Sequence, residues 1–105
     1  RYSILIPAYN VEKYIVECVE SVMDQTDMRR DELLENIEIV IANDGSTDST
    51  GKICDELASE YSNIKVYHKR NEGQLLTRCF LVERASAEYV LFLDADDKFE
   101  KTFWI

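Results

Sequence analysis

Three aspartates, Asp94, Asp96 and Asp97, fall within four residues directly after the apolar run Val90-Leu91-Phe92-Leu93. Two carboxylates about 4 Å apart repel by about 4 kcal/mol at an effective dielectric of about 20. Either one acid is protonated or a cation sits between them. Oxygen-only donors suit hard ions, so Mg²⁺ or Mn²⁺ is the expected occupant. Such an ion also bridges to a diphosphate, which would let a chain of net charge −9 hold an anion. The alternative is a solvated acidic turn, which explains the buried run before it less well.

A second group is Asp44-Gly45-Ser46-Thr47-Asp48. Gly45 permits positive φ or close backbone approach, and Asp44 could accept a hydrogen bond from a ring N–H. Ser46, Thr47 and Asp48 are sufficiently explained as helix-capping residues; Asp44 is not. Tyr9, after Pro7, could lay an aromatic face against a base, although packing is the commoner role of a lone tyrosine. Arg78 stands among apolar neighbours and needs a partner, either a carboxylate such as Asp44 or a phosphate. His68 reads as a strand-end residue, and Lys69 and Arg70 as a solvated loop.

The elements that must position these residues are visible as apolar patterning. Runs at Tyr2 to Pro7, Ile37 to Ala42, Ile64 to Tyr67 and Tyr89 to Leu93 predict strands buried on both faces. Between them, Val11, Tyr14, Ile15, Cys18, Val19, Val22 and Met23 repeat at helical spacing, with Asn10 at the expected N-cap. Ile53, Cys54, Leu57, Ala58 and Tyr61 form a second stripe. Leu75, Leu76, Cys79, Phe80 and Val82 form a weaker third. The alternation β-α-β-α-β-α-β implies a parallel sheet with right-handed crossovers. Ligands of open α/β sheets bind beyond the carboxyl ends of the strands, which is where the chemistry-bearing residues collect. The charged connection Asp24 to Asn36 reads as a surface excursion with a helical turn.

Composition narrows the class. With 105 residues, 46% of them hydrophobic, the chain can fill one core. Twelve basic against 21 acidic residues disfavour nucleic acid and anionic lipid as partners. Cys18, Cys54 and Cys79 lack metal-ligand spacing and read as reduced, buried thiols of a cytoplasmic protein. No apolar run reaches the roughly 20 residues of a membrane span. The absence of an initiator Met suggests a piece of a longer protein.

With these strand ends in place, the sequence resembles the N-terminal half of a family 2 inverting glycosyltransferase of the Rossmann-like GT-A fold. The carrying residues are Ile4 to Asn10, Ala42 to Asp48, Asn71-Glu72-Gly73 through Arg78, and Glu88 to Asp97. The resemblance implies a parallel sheet of order 3-2-1-4 with helices on both faces, and residues 1–105 as the nucleotide-sugar-binding part, truncated before the acceptor half. It implies that Pro7, Ala8 and Tyr9 line a nucleotide pocket and that Asp44 binds a uracil edge. Arg78 would reach the base or diphosphate. Asp94, Ala95 and Asp96 would contact the donor, and Asp96 and Asp97 the metal. The implied reaction is metal-dependent transfer from a UDP-sugar to a carbohydrate or glycolipid acceptor, with a catalytic base beyond Ile105 and any membrane association carried by parts outside this chain.

The sequence departs from the family pattern at Asn43 and Gln74, and at Cys79 and Leu81, where Asn and Gly are usual. These last two changes slightly favour a non-catalytic binding or assembly module as the alternative. A phospho-receiver-like domain is a weaker alternative, because the first strand ends in Pro7-Ala8-Tyr9 where a receiver needs paired acids. The fourth strand would lie at a free sheet edge, so self-association is expected there, with the Phe99 to Ile105 tail contributing.

Overall fold

Two near-continuous apolar runs, Ser3 to Ala8 and Ile37 to Ala42, form the centre of the molecule. A computed structural model describes residues 2–24 and 35–95. It contains β1 (Tyr2–Ala8), α1 (Ile15–Met23), β2 (Ile37–Asp44), α2 (Thr50–Glu60), β3 (Ile64–Lys69), α3 (Gln74–Arg84) and β4 (Tyr89–Phe92). The strands pair in parallel, as the β-α alternation predicts, in the order β3-β2-β1-β4 that the family resemblance implies. The turn proposed within 24–36 lies largely outside the described residues, as does the tail at 99–105.

Helices cover both sides of this sheet. Ile4, Ile6, Ile37, Ile39 and Ile41 point to one face and pack with Ile15, Cys18, Val19 and Val22 of α1 and Cys54 and Leu57 of α2. Leu5, Val40 and Ala42 point to the other and meet Leu81 of α3, with Tyr67 and Phe80 alongside. Central strands β1 and β2 are apolar on both faces because both are covered. The flanking strands are not: β3 is only partly buried, and Tyr89, Val90 and Phe92 of β4 are exposed.

Several local expectations are corrected. α1 begins at Ile15, and Asn10 does not cap it; Asn10 has φ +51° and its Oδ1 accepts the Thr47 N–H at 2.8 Å. The buried residues of α3 are Thr77 and Leu81, four apart, whereas Leu75 is 76% exposed and Leu76 and Val82 are also exposed. Cys79 falls about 200° around the helix from Thr77 and is an exposed thiol, unlike buried Cys18 and Cys54. Each of the first three strands also runs further than its apolar pattern. Ala8, Asn43-Asp44 and His68-Lys69 are the last rungs of the ladder rather than loop residues. No helix among the described residues is long and apolar enough to cross a membrane.

Candidate functional site

The carboxyl ends of β1, β2 and β4 and the N-terminus of α3 enclose a cleft of about 530 Å³. Pro7, Ala8, Tyr9 and Val11 form one wall, and Asn71, Gly73, Gln74 and Thr77 the opposite one. Asp44, Asp94 and Ala95 complete the lining.

Asp44 is 4% exposed and held from three directions. Its Oδ1 accepts the Glu72 N–H at 2.9 Å and Lys69 Nζ at 3.2 Å; its Oδ2 accepts the Gly73 N–H at 3.2 Å. Burial alone would push its pKa up, but the Glu72 amide, Lys69 and the Thr77 hydroxyl outweigh this and hold it below the ordinary carboxylate value. Asp44 is therefore an ionised acceptor at neutral pH. The following turn is tight: Gly45 has φ +67°, and a Cβ there would sit 2.6 Å from the Asn71 backbone nitrogen. Asn71 closes the arrangement by donating Nδ2–H to the Asp44 carbonyl at 2.9 Å. Gly73, at φ +92°, turns the chain into α3.

The loop after β2 is fastened to the loop after β1. Ser46 Oγ accepts the Asn10 N–H at 3.0 Å, and Thr50 Oγ1 accepts the Val11 N–H at 2.9 Å. Asp48 accepts the Thr50 amide and hydroxyl at 2.9 and 2.6 Å, bonds that lower its pKa against the opposing effect of desolvation. Asn43 Oδ1 accepts the Ser46 N–H, while its Nδ2 donates to His68 Nδ1 at 3.0 Å. His68 Nε2 then carries the proton and donates to Asp55 at 2.8 Å. His68 thus joins β3 to α2 and is not among the cleft-lining residues.

Arg78 does not pair with Asp44. Thr77 points at the sheet beneath Asp44, and the next residue is rotated 100° towards β4. There the Arg78 guanidinium donates to Asp94 Oδ1 at 3.3 Å and lies 5.4 Å from the Phe92 ring centroid. The Leu93 N–H extends the β1 ladder to Leu5, and the Cys18 thiol donates to the Asp94 carbonyl at 3.7 Å. Together these place Asp94 at the cleft. Of the sequence-predicted residues, Pro7, Ala8, Tyr9, Asp44, Asp94 and Ala95 line the cleft, whereas Arg78 touches it only through Asp94. Asp96 and Asp97 lie outside the described residues.

Lys69 is the main residue that sequence reasoning misplaced. It is no solvated loop residue: its side chain is buried, and it pairs with Asp44 and with Glu72 Oε1 at 2.7 Å. The available signal was period two, since 44 and 69 end adjacent strands. Asn71 entered only as part of the Asn71-Glu72-Gly73 motif with no role given, and Thr77 carries no chemical signature.

A family model described as glycosyl transferase family 2 matches residues 3–105. The chain belongs to that family. Among similar proteins, the glycosyltransferase GlyG of Streptococcus pneumoniae is 38% identical over 96 residues, covering 90% of this chain and 30% of that protein. Residues 1–349 of S. aureus TarS superpose with TM-score 0.84 at 33% identity, covering 98% of this chain and 29% of that one. The same TarS segment has been solved with UDP-GlcNAc, with TM-score 0.81 to this chain at 33% identity, over 98% of this chain and 28% of that one. The chain thus spans under a third of the length of these relatives.

Proposed function

We propose that this chain is the donor-binding part of a glycosyltransferase that moves a sugar from a UDP-sugar to an acceptor hydroxyl with inversion. The observation that carries the reading is Asp44: an ionised, nearly buried carboxylate lining a cleft of nucleoside size. In this reading Asp44 accepts a ring N–H of the base. Half-exposed Tyr9 offers the base an aromatic face, and Pro7 and Ala8 let the β1 backbone approach it closely. Asp94 and Ala95 take the ribose end. Arg78 steadies Asp94. The TarS structure containing UDP-GlcNAc, matched over 98% of this chain, supports the same class of ligand.

Among the described residues no three His, Cys, Asp or Glu side chains cluster to hold a metal. We assign that role to Asp96 and Asp97, whose carboxylate-only donor set suits Mg²⁺ or Mn²⁺. When bound, the ion supplies Lewis-acid stabilisation of charge on the leaving diphosphate. Inverting displacement also needs a proton acceptor within hydrogen-bond reach of the acceptor hydroxyl. Because the chain spans under a third of the length of its relatives, we place this base outside the 105 residues, as the family resemblance implies, with the site for a carbohydrate or glycolipid acceptor.

Calorimetric titration with UDP tests the reading. Binding should require Mn²⁺ and vanish in Asp96→Ala. Binding indifferent to both would refute the metal assignment, and no binding would refute the donor site.

A further inference from the structure

The face of the sheet under α3 carries a carboxylate on β2 at each end, Glu38 and Asp44, and each meets a β3 lysine, Lys65 and Lys69. The Glu38–Lys65 pair lies far from the cleft, and Lys65 is half exposed. Lys69 differs in being buried within hydrogen-bond distance of a cleft residue.

Four oxygens surround its ammonium: Glu72 Oε1 at 2.7 Å, Arg70 O at 3.0 Å, Asp44 Oδ1 at 3.2 Å and Thr77 Oγ1 at 3.5 Å. An ammonium has three N–H groups, and the three nearest oxygens match them, leaving none for a ligand. Asp44 Oδ1 is likewise filled, since it also accepts the Glu72 amide. Oδ2 accepts the Gly73 amide at 3.2 Å, and the Thr77 hydroxyl, which also accepts from Lys69 at 3.5 Å, adds a weaker bond to the carboxylate; a carboxylate oxygen can accept two hydrogen bonds.

We propose that Lys69 is a positioning residue that fixes Asp44 so that Oδ2 alone faces the ligand, which makes the site a reader of a single ring N–H. This rests on the donor-binding function proposed above and deepens it. Uracil presents one imide N–H flanked by two carbonyls and satisfies one open acceptor. Guanine presents an N1–H and a 2-amino group side by side and is matched by two free carboxylate oxygens. With Oδ1 occupied, one guanine donor would be desolvated without a partner, and such unpaired groups are what discriminate between polar ligands. Lys69 also keeps Asp44 charged. The groups facing this carboxylate are Lys69 from β3, the Glu72 and Gly73 amides from the loop and Thr77 from α3, with the Glu72 carboxylate behind Lys69. Lys69 itself stays protonated, because its bonds to Glu72 and Asp44 outweigh the effect of burial.

The test compares wild type, Lys69→Arg and Lys69→Met by UDP and GDP titration, with the Asp44 carboxyl carbon followed by NMR across pH. Wild type should favour UDP over GDP by at least about tenfold. Lys69→Met should lose about tenfold in UDP affinity, narrow the UDP:GDP ratio, and titrate Asp44 at higher pH. Lys69→Arg, which keeps a charged donor, should recover part of the ratio and of the Asp44 titration; this variant serves if Lys69→Met does not fold. An unchanged ratio and an unchanged Asp44 titration in a folded Lys69→Met would overturn the proposal. A wild type that binds neither nucleotide refutes the donor-binding function instead, and the Asp44 titration then decides the positioning claim alone.

Discussion

Glu38, at the end of the sheet opposite the cleft, should dominate the acid stability of the fold. It is 2% exposed. Oε2 accepts the Ser3 hydroxyl at 2.6 Å and the Ser86 amide and hydroxyl at 3.1 and 3.0 Å, while Lys65 Nζ lies 2.9 Å from Oε1. One side chain thus ties β1, β2, β3 and the α3–β4 connection together. Burial by itself would raise its pKa, but the Ser3 hydroxyl, Lys65 and Ser86 reverse this and bring it from an ordinary 4.5 down to about 2. That gap corresponds to about 3 kcal/mol, a large share of the 5–15 kcal/mol typical of a domain. Because the folded value is the depressed one, the contribution is complete above pH 4.5 and is lost as pH falls towards 2. Glu38→Gln cannot titrate. It should cost about 3 kcal/mol at pH 7 and little near pH 2, so the two stability curves converge on acidification. Urea unfolding followed by far-ultraviolet circular dichroism at several pH values measures this. Parallel curves over the whole range would refute the reasoning.

Two further outcomes follow from the geometry. Gly45→Ala combines φ +67° with a Cβ placed 2.6 Å from the Asn71 nitrogen; it should destabilise by about 2 kcal/mol and weaken UDP binding more than unfolding explains. Equal thermal stability and UDP affinity for Gly45→Ala and wild type would contradict this. Exposed Tyr89, Val90 and Phe92 sit on a strand whose outer edge has no neighbour among the described residues. Light scattering should therefore show mass rising with concentration, and a monomer at high concentration would refute it.

The parallel strands and helical crossovers were legible because two central strands buried on both faces must be apolar throughout, whereas the strand order came from the family resemblance. Residues at the strand ends were harder to place. Apolar runs stop where side chains become polar, yet the backbone ladder continues through Asn43-Asp44 and His68-Lys69. That continuation brings Asp44 and Lys69 together, so reading the pair as loop residues hid the ion pair. On α3, Thr77 and Leu81 are buried in place of the more apolar Leu75 and Leu76, and the Thr77 hydroxyl bonds Asp44. Hydrophobicity cannot report that bond. Arg78 was recognisable as needing an anion, but which one depended on a 100° turn of helix.

The central claim is that the cleft beside Asp44 holds a uridine nucleotide. Titration of the ¹⁵N-labelled chain with UDP and Mg²⁺ addresses it directly. The amide resonances of Ala8, Gly45, Asn71 and Gly73 should shift together with one dissociation constant, and Asp44→Asn should remove the shifts while leaving the spectrum folded. Shifts confined to residues away from this cleft, or undiminished in Asp44→Asn, would contradict the account.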